Sequence, residues 1–143
     1  MTPARRPGSF YFVRENTCMT LAYWTVLAAA LLPIVFAGIA KVGGEAYDNR
    51  RPRDWLARQA GWRQRAHWAQ QNGYEAFPPF AAAVIIAHQL DAPQGIVNTL
   101  ALLFIAFRIL YGVLYIQDRH ALRSLAWLAA MACVIGLFIA AAV

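Results

Sequence analysis

Residues 21–40 read LAYWTVLAAALLPIVFAGIA, twenty positions without a charged side chain, closed by Lys41. An α-helix rises 1.5 Å per residue, so about 20 apolar residues cross the roughly 30 Å hydrocarbon layer of a bilayer. Two further blocks meet that length: residues 96–116 carry one charge, Arg108, and residues 124–143 carry none. A fourth block, 76–90, lies between Glu75 and Asp91 and is shorter. It reaches spanning length if its helix begins earlier, near Trp68, which puts Asn72 and Glu75 at its membrane entrance. The pattern predicts an all-α membrane protein, a four-transmembrane-helix bundle in one compact domain, with a kink at Pro33.

The rest of the composition agrees. The chain has 143 residues, 60% hydrophobic and only 14% charged, whereas soluble domains run at about 45–50% and about 25%. So apolar a chain is not disordered. Two cysteines allow at most one bridge, and Cys133 sits inside an apolar run, which excludes a disulfide scaffold. A soluble protein with deeply buried helices would need amphipathic surface that these blocks do not leave.

Arg5, Arg6 and Arg14 precede the first block and imitate the charged start of a signal peptide. The block is too long for one and closes with Ile39-Ala40-Lys41 rather than a small-residue cleavage pattern, so it reads as a retained span. Met19 reads as a second possible start. Residues 1–18 are then an N-terminal extension, and 19–143 the membrane domain.

The charges orient the spans. Four crossings put the N-terminus, the 91–95 turn and the C-terminus on one side, and the 41–67 loop and 117–123 turn on the other. The second side holds Lys41, Arg50, Arg51, Arg53, Arg58, Arg63, Arg65, Arg119 and Arg123, most of the 13 basic residues behind the net charge of +6. Basic residues stay cytoplasmic, which predicts a cytoplasmic 41–67 loop and both termini outside. The same excess attracts anionic lipid head groups. Without a zinc-finger spacing or an RNA-recognition motif beside the arginines, it does not indicate nucleic acid.

Polar residues at membrane depth carry the chemistry. An arginine inside a span costs several kcal/mol unless it faces a bundle interior or wet cavity and has a partner. Tyr111 and Tyr115 follow Arg108 at i+3 and i+7, so one helix face presents a cation and two phenols. Asn72 and Glu75, again at i and i+3, supply a matching anion that could pair with Arg108 directly or share a ligand with it. Pro78-Pro79 suggests a kink or a late helix start, opening backbone to a cavity. His67, His88 and His120 read as solvated or capping residues and Cys133 as packing. No His/Cys/Asp spacing suggests a metal.

At these positions the sequence resembles the MAPEG family, the membrane-associated proteins in eicosanoid and glutathione metabolism. Residues 65–80, RAHWAQQNGYEAFPPF, resemble the family signature at the second helix, with Arg65-Ala66, Asn72-x-x-Glu75 and a Pro-Phe element. Arg108-x-x-Tyr111-x-x-x-Tyr115 resembles its third-helix motif, and residues 48–53, DNRRPR, the loop of its bacterial branch. The resemblance covers about residues 19–143. It implies a homotrimer holding glutathione, as co-substrate, between subunits at the cytoplasmic side of a bacterial inner membrane, with periplasmic termini. Arg65, Asn72, Glu75, Arg108, Tyr111 and Tyr115 are the implied binding residues. Arg123 is the implied catalytic residue, stabilising the thiolate that attacks a lipophilic small molecule from the bilayer. A nearby cation raises the thiolate fraction of a thiol whose free pKa is about 8.5. Two departures stand: Arg65 lies farther from Asn72 than in the eukaryotic pattern, and Arg119 competes with Arg123.

The family also contains a non-catalytic lipid-binding, scaffolding branch, an alternative to a glutathione-dependent transferase or peroxidase. A small four-span drug exporter would place an acid in its first span, where residues 21–40 have none.

Overall fold

The computed structural model describes residues 18–43 and 46–143, so the predicted extension, apart from Cys18, lies outside the described residues. Among these residues five helices follow in order: α1 (Leu21–Lys41), the short α2 (Pro52–Ala57), α3 (Gly61–Gln89), α4 (Gln94–Ile116) and α5 (His120–Ala142). α1, α4 and α5 are each long and apolar enough to cross a membrane. α3 is longer still, with 29 residues, about 44 Å at 1.5 Å per residue. Its first half carries Arg63, Arg65, Glu75 and most of the helix's amides, which keeps it from qualifying as a span on composition.

The late start suggested by Pro78-Pro79 did not materialise. α3 begins at Gly61 and continues through both prolines. Neither proline has an N–H, so the carbonyls of Tyr74 and Glu75 lose their i+4 donors beside the Asn72–Glu75 motif. α1 likewise continues through Pro33 as one helix.

The long helices alternate in direction. Near one end of the bundle, Ala40, Trp55, Leu56 and Ala66 form a small core that joins the end of α1 to α2 and the start of α3. There the Arg63 guanidinium donates to the Val42 carbonyl at 3.0 Å. At the other end the Thr20 hydroxyl meets His88 Nε2 at 2.8 Å. The His88 Nδ1–H donates to the Val84 carbonyl at 2.7 Å, since a carbonyl can only accept. Tyr23 stacks on the same imidazole at 4.0 Å.

Both tight turns use an aspartate where glycine is usual. Asp91 (φ 53°) and Asp118 (φ 62°) are left-handed, each just past a helix end. The next residue closes back onto the last turn: Ala92 N–H donates to Ala87 and Arg119 N–H to Leu114, both at 2.9 Å. These are the reverse-turn caps that terminate helices by satisfying orphan carbonyls.

Small residues let the helices approach. Ala66, Ala69, Gly73, Ala76, Phe80, Ala83 and Ala87 form one buried stripe on α3. In a bilayer, where lipid is as apolar as leucine, such stripes permit the close backbone contact that holds helices together. Gly73 is filled by Pro33: a Cβ there would lie 2.8 Å from the proline Cγ. Gly112 is filled by the Phe36 ring. Large aliphatics such as Leu27, Ile34, Leu102, Leu128, Ile135 and Ile139 face outward, the inside-out arrangement expected where the surroundings are lipid.

Candidate functional site

The polar residues of α3 and α4 meet at the end of the bundle that carries the arginine-rich loop. Arg108 is 3% exposed. Its Nη1 donates to Asn72 Oδ1 at 2.9 Å, and Asn72 Nδ2 donates to Glu75 Oε2 at 3.0 Å. The amide orientation is set by chemistry, since guanidinium can only donate and carboxylate only accept. Asn72 therefore stands between cation and anion, and the relay replaces the direct Glu75–Arg108 pairing that the sequence left open.

Two aromatic rings extend the cluster toward α5. Arg108 lies over the Tyr111 ring, 4.5 Å from its centre. Tyr111 meets Tyr115 edge to face at 5.5 Å, and Tyr115 carries the Arg123 guanidinium at 4.2 Å. A cation over an aromatic face contributes about 0.5–2 kcal/mol depending on its desolvation. The i, i+3, i+7 spacing on α4 thus produces a ladder of cation, phenol, phenol, cation that crosses to the next helix. Arg119 stands at the N-cap position of α5 with no side-chain capping bond and is exposed, so of the two competing arginines Arg123 is the one joined to the cluster.

A cavity of about 340 Å³ lies against these groups, lined by Trp68, Gln71, Asn72, Glu75, Tyr111 and Tyr115. Trp68 and Gln71 were not singled out from sequence. The signal was present: Trp68, Asn72 and Glu75 fall at i, i+4 and i+7 on one face. Arg65 does not line this cavity. Its Nε donates to the Ile116 carbonyl at 3.1 Å, and its Nη1 lies 3.8 Å from Asp118.

Two other concavities differ in kind. At the opposite end a cavity of about 820 Å³ is lined by Thr20, Tyr23, His88, Asp91 and Gln94 among others; among the described residues its lining has a carboxylate and no lysine or arginine. Between α4 and α5 an apolar groove of about 320 Å³ is lined by Phe107, Leu110, Leu114, Leu122 and Leu125 with two alanines. Leu114 and Leu122 are the chain neighbours of Tyr115 and Arg123.

The arrangement of an Asn72–Glu75 pair on one long helix against an Arg108–Tyr111–Tyr115 face on the next agrees with what a family profile finds over the whole helical region. The MAPEG family profile matches residues 21–143. The chain belongs to the MAPEG family. This MAPEG protein is thus a membrane protein of a family tied to glutathione and eicosanoid metabolism. Comparison with curated proteins gave no match, and neither did comparison with solved structures.

Proposed function

We propose that this MAPEG protein is a glutathione-dependent transferase or peroxidase of the inner membrane, acting on lipophilic electrophiles. The observation that carries the reading is the Arg108–Asn72–Glu75 relay bordering a cavity with two phenols. Glutathione has two carboxylates, one ammonium and two amides. Arg108 supplies a cation suited to a carboxylate, Glu75 an anion for the ammonium, and Asn72, Tyr111 and Tyr115 hydrogen-bonding groups for the remainder. Arg123 stands at the far end of the ladder, where its charge favours a thiolate. In a transfer, the thiolate forms a C–S bond to the electrophile as the leaving group departs with its electron pair. The apolar α4–α5 groove, one residue from Tyr115 and Arg123, suits a lipophilic acceptor arriving from the bilayer.

The same reading makes α3 the fourth span, since it connects the same two ends of the bundle as α1 and α4. Its polar half then stands in the membrane's cytoplasmic interface, and the basic excess keeps the 41–67 loop cytoplasmic. Among the described residues, the cavity is walled by α3 and α4. Trp68, Tyr74 and Glu75 remain exposed beside it, and a second and third copy arranged around α3 would supply the missing wall, a homotrimer.

The test is calorimetric titration of glutathione into detergent-purified protein, followed by conjugation of chlorodinitrobenzene. Wild type is expected to bind and turn over, and Arg108→Ala and Glu75→Ala to lose binding. A wild type that does not bind glutathione refutes the reading; binding without turnover moves the protein to the non-catalytic branch.

A further inference from the structure

The arginine that opens the family signature is occupied elsewhere. Every carbonyl in the last turn of α4 has a donor: Val113 receives Gln117 N–H, Leu114 receives Arg119 N–H and Tyr115 receives Asp118 N–H. The exception among backbone donors is Ile116, whose carbonyl receives Arg65 Nε at 3.1 Å instead. Helix ends leave such carbonyls unsatisfied unless a cap or side chain reaches them. Arg65 completes the set from α3, and its other arm faces Asp118, the left-handed residue of the turn.

The turn in question sets Arg123. Arg119 N–H is fixed to Leu114, and Arg123 N–H donates to the Arg119 carbonyl at 2.9 Å. One helical turn of α5 therefore separates the clamp from the guanidinium that lies 4.2 Å over Tyr115. Ile116 is also seated against the small core containing Ala66, the neighbour of Arg65. Backbone, side chain and ion pair at this corner all converge on the start of α3.

We propose that Arg65 is a positioning residue: it locks the α4–α5 turn so that Arg123 is held over Tyr115, and it does not itself hold glutathione. The inference rests on the proposed function for the role of Arg123, but the clamp is a claim about the turn alone. It also accounts for the longer spacing between Arg65 and Asn72. Seven residues are close to two helical turns, which carries Arg65 past the cavity to the level of the α4 terminus.

The experiment compares wild type, Arg65→Ala and Arg65→Lys in detergent by three readouts: glutathione Kd, the ultraviolet absorbance of bound thiolate against pH, and amide hydrogen exchange across residues 114–123. Arg65→Ala is expected to leave Kd unchanged while exchange in the turn accelerates. The thiolate titration should move to higher pH and turnover fall by up to about 100-fold, the scale of a misplaced catalytic group. Arg65→Lys, which can still donate to the Ile116 carbonyl, should recover part of both. Loss of glutathione binding in Arg65→Ala with unchanged exchange in the turn makes Arg65 a ligand and overturns the proposal. If wild type binds no glutathione, the proposed function fails, and the exchange comparison still decides the clamp: unchanged exchange refutes it.

Discussion

Gly112→Ala tests how the site is held, because the site-bearing face of α4 closes on the Phe36 ring at Gly112. The three atoms nearest a Cβ at position 112 all belong to Phe36, and all fall inside 3.0 Å. Phe36 is 4% exposed, so the ring cannot rotate into open space and must leave its slot or push α1 from α4. Overpacking of this kind costs about 1–3 kcal/mol, and the displaced ring also forfeits dispersion contacts with α4. Against this, alanine is favoured over glycine inside a helix by about 1 kcal/mol. The expected net is a loss of about 1–3 kcal/mol, read by equilibrium unfolding in mixed micelles. Gly38 provides the control: nothing lies within 4 Å of a Cβ there, so Gly38→Ala should be neutral or stabilising. Phe36→Leu should relieve Gly112→Ala, making the double variant more stable than the two single losses combined predict. Because Gly112 shares its face with Arg108 and Tyr111, glutathione affinity should fall with it. Gly112→Ala as stable as Gly38→Ala would refute the seating of Phe36 on Gly112.

Other expectations follow from the same geometry. Asn72→Ala leaves a buried guanidinium N–H without its acceptor; at about 1.5–3 kcal/mol for a hydrogen bond to a charged group, glutathione affinity should weaken about 10- to 100-fold by calorimetry. Tyr115→Phe keeps the ring beneath Arg123 but removes a hydroxyl that lines the cavity, so it should weaken glutathione affinity and leave the thiolate titration in place, whereas Tyr115→Leu also removes about 0.5–2 kcal/mol of cation–π attraction and should move that titration to higher pH. Thr20→Val cuts the tie between α1 and His88 and should cost about 1 kcal/mol in unfolding without affecting glutathione binding at the other end. Asp118→Gly relieves a left-handed residue but discards its ion pair with Arg65, so turn exchange should change less than in Arg65→Ala.

Much of this protein was legible in one dimension. The blocks at 21–40, 96–116 and 124–143 became α1, α4 and α5 because nothing but a helix satisfies the backbone of a long apolar run in lipid. Arg108, Tyr111 and Tyr115 were legible as one face because helical periodicity places i, i+3 and i+7 together before any packing is known. Local rules failed at Pro78-Pro79. They suggest a kink or a late helix start, and the late start is what failed: α3 extends from Gly61 through both prolines, supported by the small residues it presents to α1. Its polar first half was hidden from the apolar count for the same reason that it matters: it carries the site.

The amino-acid sequence by itself determined the helices, their polar faces and the family, since these depend on composition and on spacing along one helix. The tertiary structure decided partners across helices. That Asn72 stands between Arg108 and Glu75, that Phe36 fills the place of a side chain at Gly112, and that Arg65 reaches the Ile116 carbonyl while Arg123 lies over Tyr115 are all matters of which residues two helices bring to the same height. Periodicity fixes the face a residue occupies, but only packing fixes what it meets.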